Sequence, residues 1–217
     1  MRSDARLNQQ KILEAARDVF AELGIEAPLE RVARRANVGI ATLYRRYPTR
    51  EALLAAAFLP KMESWADFIE IALAQPDPCT ALVSYLESVF AMQLEDRGFT
   101  DVLSLSFPEA SSIEAARERG LNGFIELVQR SKSAECLRAD FVPEDLLFFL
   151  MANAGVIHSA GVVAPEATRR LLSYFLQAIG VREVGPLSAS PSTEAARQAM
   201  RRMPHSAVAT SHPPEGE

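Results

Sequence analysis

From Arg31 to Arg50 the chain carries six arginines and not one aspartate or glutamate. Guanidinium groups gathered at a single sign attract duplex phosphates in any sequence context, because neutralising phosphate releases condensed counterions. Among them stand Thr42, Tyr44, Tyr47 and Thr49, whose hydroxyls can hydrogen-bond to phosphates and base edges. Gly39 and Ile40 come just before: a bare backbone N–H at a helix start can meet a phosphate, and a short apolar side chain a thymine methyl. The expected nucleic-acid contacts are therefore Gly39, Ile40, Thr42, Tyr44, Arg45, Arg46, Tyr47, Thr49 and Arg50. For Tyr47, packing inside a small domain is an equal reading, and for Arg50 the competing reading is a solvated side chain.

Other chemistries find less support. Cys79 and Cys136 are isolated and lack CxxC spacing, and His158, His205 and His212 are scattered, so neither a disulfide framework nor a zinc site is expected. His158 has no acidic, cysteine or second histidine partner at ligand spacing, and no nucleophile or phosphate-loop motif occurs. No catalytic residue, metal or cofactor is expected. A small-molecule site is the better fit to the second half of the chain. Trp65, Phe68, Phe90, Phe107 and Phe148 supply apolar lining, and Gln93, Asn122, Asn153 and His158 are polar groups on otherwise apolar helix faces. A satisfied place in the core is the competing reading for each of the four polar residues.

Helices must position all of these groups. Apolar residues recur at three and four residue intervals nearly throughout, no convincing strand is present, and the expected fold is all-α. A first helix is predicted over residues 6–23 with Gly24 after its end, a second from Pro28 to about Ala36, and a third from Ile40 to Tyr47, stopped by Pro48. Between the second and third, Asn37 or Gly39 can take the positive φ of a sharp turn. Thr49 caps a fourth helix reaching about Ala74, which Pro60 is expected to kink or divide. Further helices are predicted over 79–94, 100–107, 111–136, 143–163 and 165–179. Three parts follow: residues 1–50, a helix-turn-helix DNA-binding domain; 51–180, a helical bundle that carries the expected ligand-lining residues; and 181–217, a mostly disordered Pro- and Ser-rich tail with one short helix near 193–203.

Charge divides the same way. Of a formal net −5, the first fifty residues contribute +4 and the remainder −9, which suits a basic end against nucleic acid and an acidic body. The N-terminus lacks a leader pattern, making the cytoplasm the default. Nineteen uncharged residues, 146–164, could pass for a membrane span, but Asn153, Gly155, His158, Ser159 and Gly161 fit a buried helix better, and no membrane partner is expected.

The helix-one pattern Ile12-Leu13-Glu14-Ala15-Ala16 with Phe20 and Gly24, then Val32-Ala33, Ala36-Asn37-Val38, Thr42-Leu43-Tyr44-Arg45, Tyr47-Pro48 and Arg50-Glu51-Ala52-Leu53, resembles the TetR family of bacterial transcriptional regulators. The likeness covers roughly residues 8–58. It implies an all-helical homodimer that binds a palindromic double-stranded operator and represses until a small-molecule effector binds a variable C-terminal domain. This chain has Ala27-Pro28 where the family usually offers Thr or Ser, and Arg46 where it often has His. Ala152, Gly155 and Ser159 form a small-residue stripe, and Ala167, Leu171, Tyr174, Phe175 and Ala178 another helical face. Together they would build a four-helix interface between subunits, with packing inside one chain as the alternative. A DNA-binding dimer with no effector is the alternative function; a cavity of several hundred Å³ in the second part separates the two.

Overall fold

The computed structural model describes residues 2–103, 107–108, 110–181 and 185–202, with backbone alone at 2–6, 97 and 202. The first three helices are α1 (Arg2–Leu23), α2 (Leu29–Arg35) and α3 (Ile40–Arg46). Gly24 ends α1 at φ +81, a conformation that costs glycine nothing. Asn37 provides the turn between α2 and α3 at φ 54: its N–H bonds Arg34 O, and the next N–H, of Val38, reaches back to Ala33 O. This paired closure satisfies two carbonyls that the helix end would otherwise leave open. Gly39 is extended, so of the two candidates for positive φ the asparagine takes it.

Helix α4 (Arg50–Leu73) is capped by the Thr49 hydroxyl, which accepts from Ala52 N at 3.1 Å, and it runs unbroken through Pro60. It runs parallel to α7 (Ser111–Ser133) at close range. A Cβ on Gly120 would lie 2.3 Å from the Trp65 ring and one on Gly123 2.7 Å from Ile69, so two glycines a turn apart let bulky α4 side chains sit against the α7 backbone. Arg130 closes the far end of the pair, donating to the carbonyls of Leu73 at 2.6 Å and Gln75 at 3.1 Å.

The remaining elements are α5 (Pro78–Glu95), α6 (Arg97–Leu103), α8 (Asp145–Ala160), α9 (Glu166–Ala178) and α10 (Thr193–Arg202). Three boundaries differ from the sequence expectation. Helix α6 starts earlier because the Asp96 carboxylate accepts from Phe99 N at 3.0 Å as a cap. Helix α7 stops at Ser133 because Glu135 takes φ 56 and Cys136 N bonds back to Ser131 O; with no glycine there, the stop leaves little sequence signal. Asp145 opens α8 by accepting from Val142 N at 3.0 Å. Within residues 185–202, read from composition as part of a mostly disordered tail, Ser188 bonds to Ser173 and Arg170 on α9, and α10 packs against α8. His205 and His212 lie outside the described residues.

One continuous core joins the two parts. It extends from Ile12 to Val181, and Phe20, Phe58 and Phe99 link α1, α4 and α6 in an aromatic chain with ring centroids 6.4 and 6.5 Å apart. Gly98 lets α6 approach, since a Cβ there would sit 2.9 Å from Phe58. The expectation of unpaired cysteines is overturned: Cys79 and Cys136, 57 residues apart, form a disulfide with their Cα atoms 5.8 Å apart. Antiparallel packing of α7 on α5, with Tyr85 stacked on Phe124, carries the end of α7 back to the start of α5, a proximity that linear spacing does not encode.

Candidate nucleic-acid interface

Helix α3 is anchored by Leu43 and Tyr47, which point into the small domain against Val32 and Ala33. Seven residues at 3.6 per turn leave the opposite face outward, so Ile40, Ala41, Tyr44 and Arg45 are exposed and Thr42 is half-buried. At roughly 10 Å long, such a helix fits a major groove about 12 Å wide. Tyr44 is 44% exposed, whereas Tyr47 is 6% exposed with its hydroxyl unpartnered among the described residues. Tyr47 is therefore a core residue, and its expected contact with nucleic acid is not supported.

The arginines separate by what already holds them. Arg50 donates through Nη1 to the carbonyls of Ile25 at 2.6 Å and Ala27 at 2.7 Å, tying the α1–α2 turn to the start of α4. Arg35 forms a fork with Glu22 at 2.7 and 3.0 Å, and the paired hydrogen bonds hold the Glu22 carboxyl below its ordinary range. The acid-free run from Arg31 to Arg50 thus meets its counter-charge from α1. Arg46 bonds Gln9, and Thr49 is spent on its cap. Arg31, Arg34 and Arg45 are exposed, with no partner among the described residues. Arg45, Arg46 and Thr42 also line a groove against Asn8, Gln9 and Ile12 of α1.

The expected ligand-lining residues do not converge. Asn122 is exposed on α7 and Phe148 is 68% exposed on α8, so neither lines an interior pocket. Gln93 and Asn153 are fully buried and spent on the core: Asn153 Nδ2 donates to Gln93 Oε1 at 2.9 Å, and Gln93 Nε2 to Leu150 O at 3.2 Å. His158 Nδ1 lies 2.7 Å from Ala154 O and its Nε2 3.3 Å from Asp101 Oδ1, an acidic partner from α6 that sequence spacing hides. Trp65 and Phe107 are core, and Phe68 is half-buried against it. The indole N–H of Trp65 and the hydroxyl of Tyr85 are both buried with no hydrogen-bond partner among the described residues. Burial pushes the Tyr85 phenol far above its ordinary range, which the nearby indole only partly opposes.

Of the nine, Phe90 alone lines a cleft of about 640 Å³ formed by α5, α9 and Val181, Gly185, Pro186 and Ser188. Phe90, Leu94, Leu172 and Leu176 make its apolar floor, while Glu87 and Glu95 from α5 and Arg169 from α9 stand at its edges. Sequence reasoning missed it because only the fold brings α5 beside α9 and the returning segment. Among the described residues no cluster of His, Cys, Asp and Glu could hold a metal ion, and no helix is long and apolar enough to cross a membrane.

Comparison with known proteins agrees with this arrangement. The family described as "Bacterial regulatory proteins, tetR family" matches residues 12–57, and "Transcriptional regulator SbtR-like, C-terminal domain" matches residues 77–181. The TetR transcriptional regulator SCO0520 from Streptomyces coelicolor is 30% identical over 80% of this chain and 98% of its own, with a TM-score of 0.50. A bacterial regulatory protein of the tetR family from Rhodococcus RHA1 shares the fold at 21% identity and a TM-score of 0.59, covering 81% of this chain and 98% of its own. FadR from Bacillus subtilis, solved in complex with stearoyl-CoA, shares it at 17% identity and a TM-score of 0.53, covering 79% and 97%. No match was found among the curated proteins.

Proposed function

This chain belongs to the TetR family of bacterial transcriptional regulators, and from that premise we propose that it is a homodimeric, non-enzymatic repressor, released from a palindromic operator by a small hydrophobic or amphipathic ligand. The observation that carries the DNA-binding half is the outward face of α3, with Ile40, Tyr44 and Arg45 free above an anchor of Leu43 and Tyr47. Gly39, Thr42 and Arg46 flank that face. Its workplace is the cytoplasm, beside the DNA.

Two further features support the reading. Phe148, Met151, Ala152 and Gly155 form an exposed stripe on α8, and Tyr174 is exposed on α9; a second copy would cover both, giving a two-fold axis to match a palindrome. The α5–α9 cleft, apolar with a few charged groups, has the size and chemistry of a small-molecule site. It favours an effector-responsive regulator over a dimer without effector.

Selecting fragments of the source genome on the purified protein tests the proposal by yielding the operator. Titrating Arg45→Ala and Tyr44→Ala against that operator at fixed salt should show losses of about 1 to 3 kcal/mol each. Unchanged affinity in both variants would overturn the assignment of α3.

A further inference from the structure

We infer that Cys79 and Cys136 form a reversible thiol–disulfide site, opened by cellular dithiols and closed by peroxide. The inference rests on the reading above for one premise: a cytoplasmic regulator works where thiols are kept reduced, and a bridge in such a protein is characteristically a transient, redox-responsive one.

The two sulfurs are held together by backbone that does not depend on the bond between them. Cys79 is the second residue of α5, fixed by Pro78 ahead of it and by the Asp77 carboxylate, which accepts from Cys79 N at 3.4 Å and Thr80 N at 2.9 Å. Cys136 follows the left-handed turn at Glu135, and its own N–H donates to Ser131 O at 3.1 Å. Ser131 Oγ in turn donates to Pro78 O at 3.3 Å, closing a direct contact between the two segments one residue from Cys79. With the thiols reduced these bonds remain, so the sulfurs stay within reach and the bridge can reform without a search.

Exposure assigns the roles. Cys79 is half-buried and Cys136 is 4% exposed, so reagents from solvent meet Cys79 first. In opening, a thiolate of the dithiol attacks Cys79 Sγ, the Cys79–Cys136 bond breaks, and Cys136 leaves as a thiolate and takes a proton. The second sulfur of the reagent then displaces the Cys79 thiolate and departs in a disulfide, having supplied both electrons. In closing, the Cys79 thiolate attacks peroxide, breaking the O–O bond to give a sulfenic acid and hydroxide, and the Cys136 thiolate then displaces a second hydroxide from the Cys79 sulfur; the protons released when the two thiols ionise turn both hydroxides into water, and the peroxide takes the two electrons. The amides at the start of α5 favour the Cys79 thiolate, and the Asp77 carboxylate opposes it.

The bridge lies where three helices meet. Arg130 binds the carbonyls of Leu73 and Gln75 at the end of α4 while the disulfide joins α5 to the turn after α7, which puts the bridge beside the far end of α4. The opposite end of α4 carries the helix-turn-helix.

The test traps the full-length protein in its bacterial host by acid quenching and differential alkylation, before and after a peroxide pulse, with mass spectrometry of the Cys79 and Cys136 peptides. The expected result is alkylated thiols before, a Cys79–Cys136 bridge in most molecules after, and return to thiols once peroxide is removed. Purified oxidised protein should lose roughly 5–15 °C in Tm on reduction, a loss absent from Cys79→Ser and Cys136→Ser. A bridge present before the pulse and resistant to dithiol, or thiols that remain alkylated through it, would overturn the proposal. Operator binding is measured on the same samples. If it is absent in both redox states while exchange proceeds, the regulator reading fails and the exchange site stands.

Discussion

Replacing Gly120 by Ala sets two effects against each other, and the distances decide between them. Alanine is the better helix former by about 1 kcal/mol, so at an open position the change would stabilise α7. Here the new methyl would lie 2.3 Å from Trp65 Cζ3 and 2.8 Å from two further ring carbons, more than 1 Å inside ordinary contact. The indole cannot retreat, because it is buried at 2% exposure within the core, and the Gly123–Ile69 contact one turn on resists tilting of α4. Overpacking costs about 1 to 3 kcal/mol, and an approach of 2.3 Å to a ring that cannot retreat puts this change in the upper part of that range, at about 2 to 3, so that against the helical gain the net loss is about 1 to 2 kcal/mol. For a chain of 217 residues that lowers Tm by roughly 2–8 °C. Thermal unfolding followed by circular dichroism reads the loss, and emission from the only tryptophan reports the displaced ring. In a Trp65→Leu background the clash is gone and the same substitution should become stabilising. An equal loss in both backgrounds, or no loss beside Trp65, would refute close α4–α7 packing as the cause.

Tyr47→Phe removes a buried hydroxyl with no partner among the described residues, so stability should hold or rise by up to about 1–3 kcal/mol while operator affinity is unchanged; a large affinity loss in an anisotropy titration would return Tyr47 to the interface. Arg50→Ala leaves the Ile25 and Ala27 carbonyls without their donor and should cost about 1–3 kcal/mol in denaturant unfolding, with little change in the salt dependence of DNA binding. Hydrogen bonds from the Thr80 hydroxyl and N–H hold the Asp77 carboxyl below its ordinary value. The stability this carries is present above the unfolded-state value and is lost as pH falls through the folded one, so Asp77→Asn should flatten the acid limb of a Tm–pH profile; an unaltered limb would exclude the cap as a contributor.

Local physics made most of the helical framework legible in the residue order. The three-and-four periodicity of Ile12, Ala15, Ala16 and Val19, the Thr49 cap and the Pro48 stop act within a few residues of themselves, and the outward set of Ile40, Tyr44 and Arg45 follows from the inward Leu43 once α3 is a helix. The asymmetry of charge is likewise a property of composition. What residue order could not carry is whatever depends on a partner far along the chain. The acid-free run of arginines meets Glu22 from α1, Arg50 donates to carbonyls twenty-five and twenty-three residues back, and Asn153 donates to Gln93 across sixty. The cleft between α5 and α9 and the Cys79–Cys136 bridge exist because α7 and the segment after α9 return to the start and flank of α5. Helix formation is decided by neighbours within a turn, whereas burial, pairing and cavity shape are decided by packing between elements, and only the tertiary structure brings those elements together.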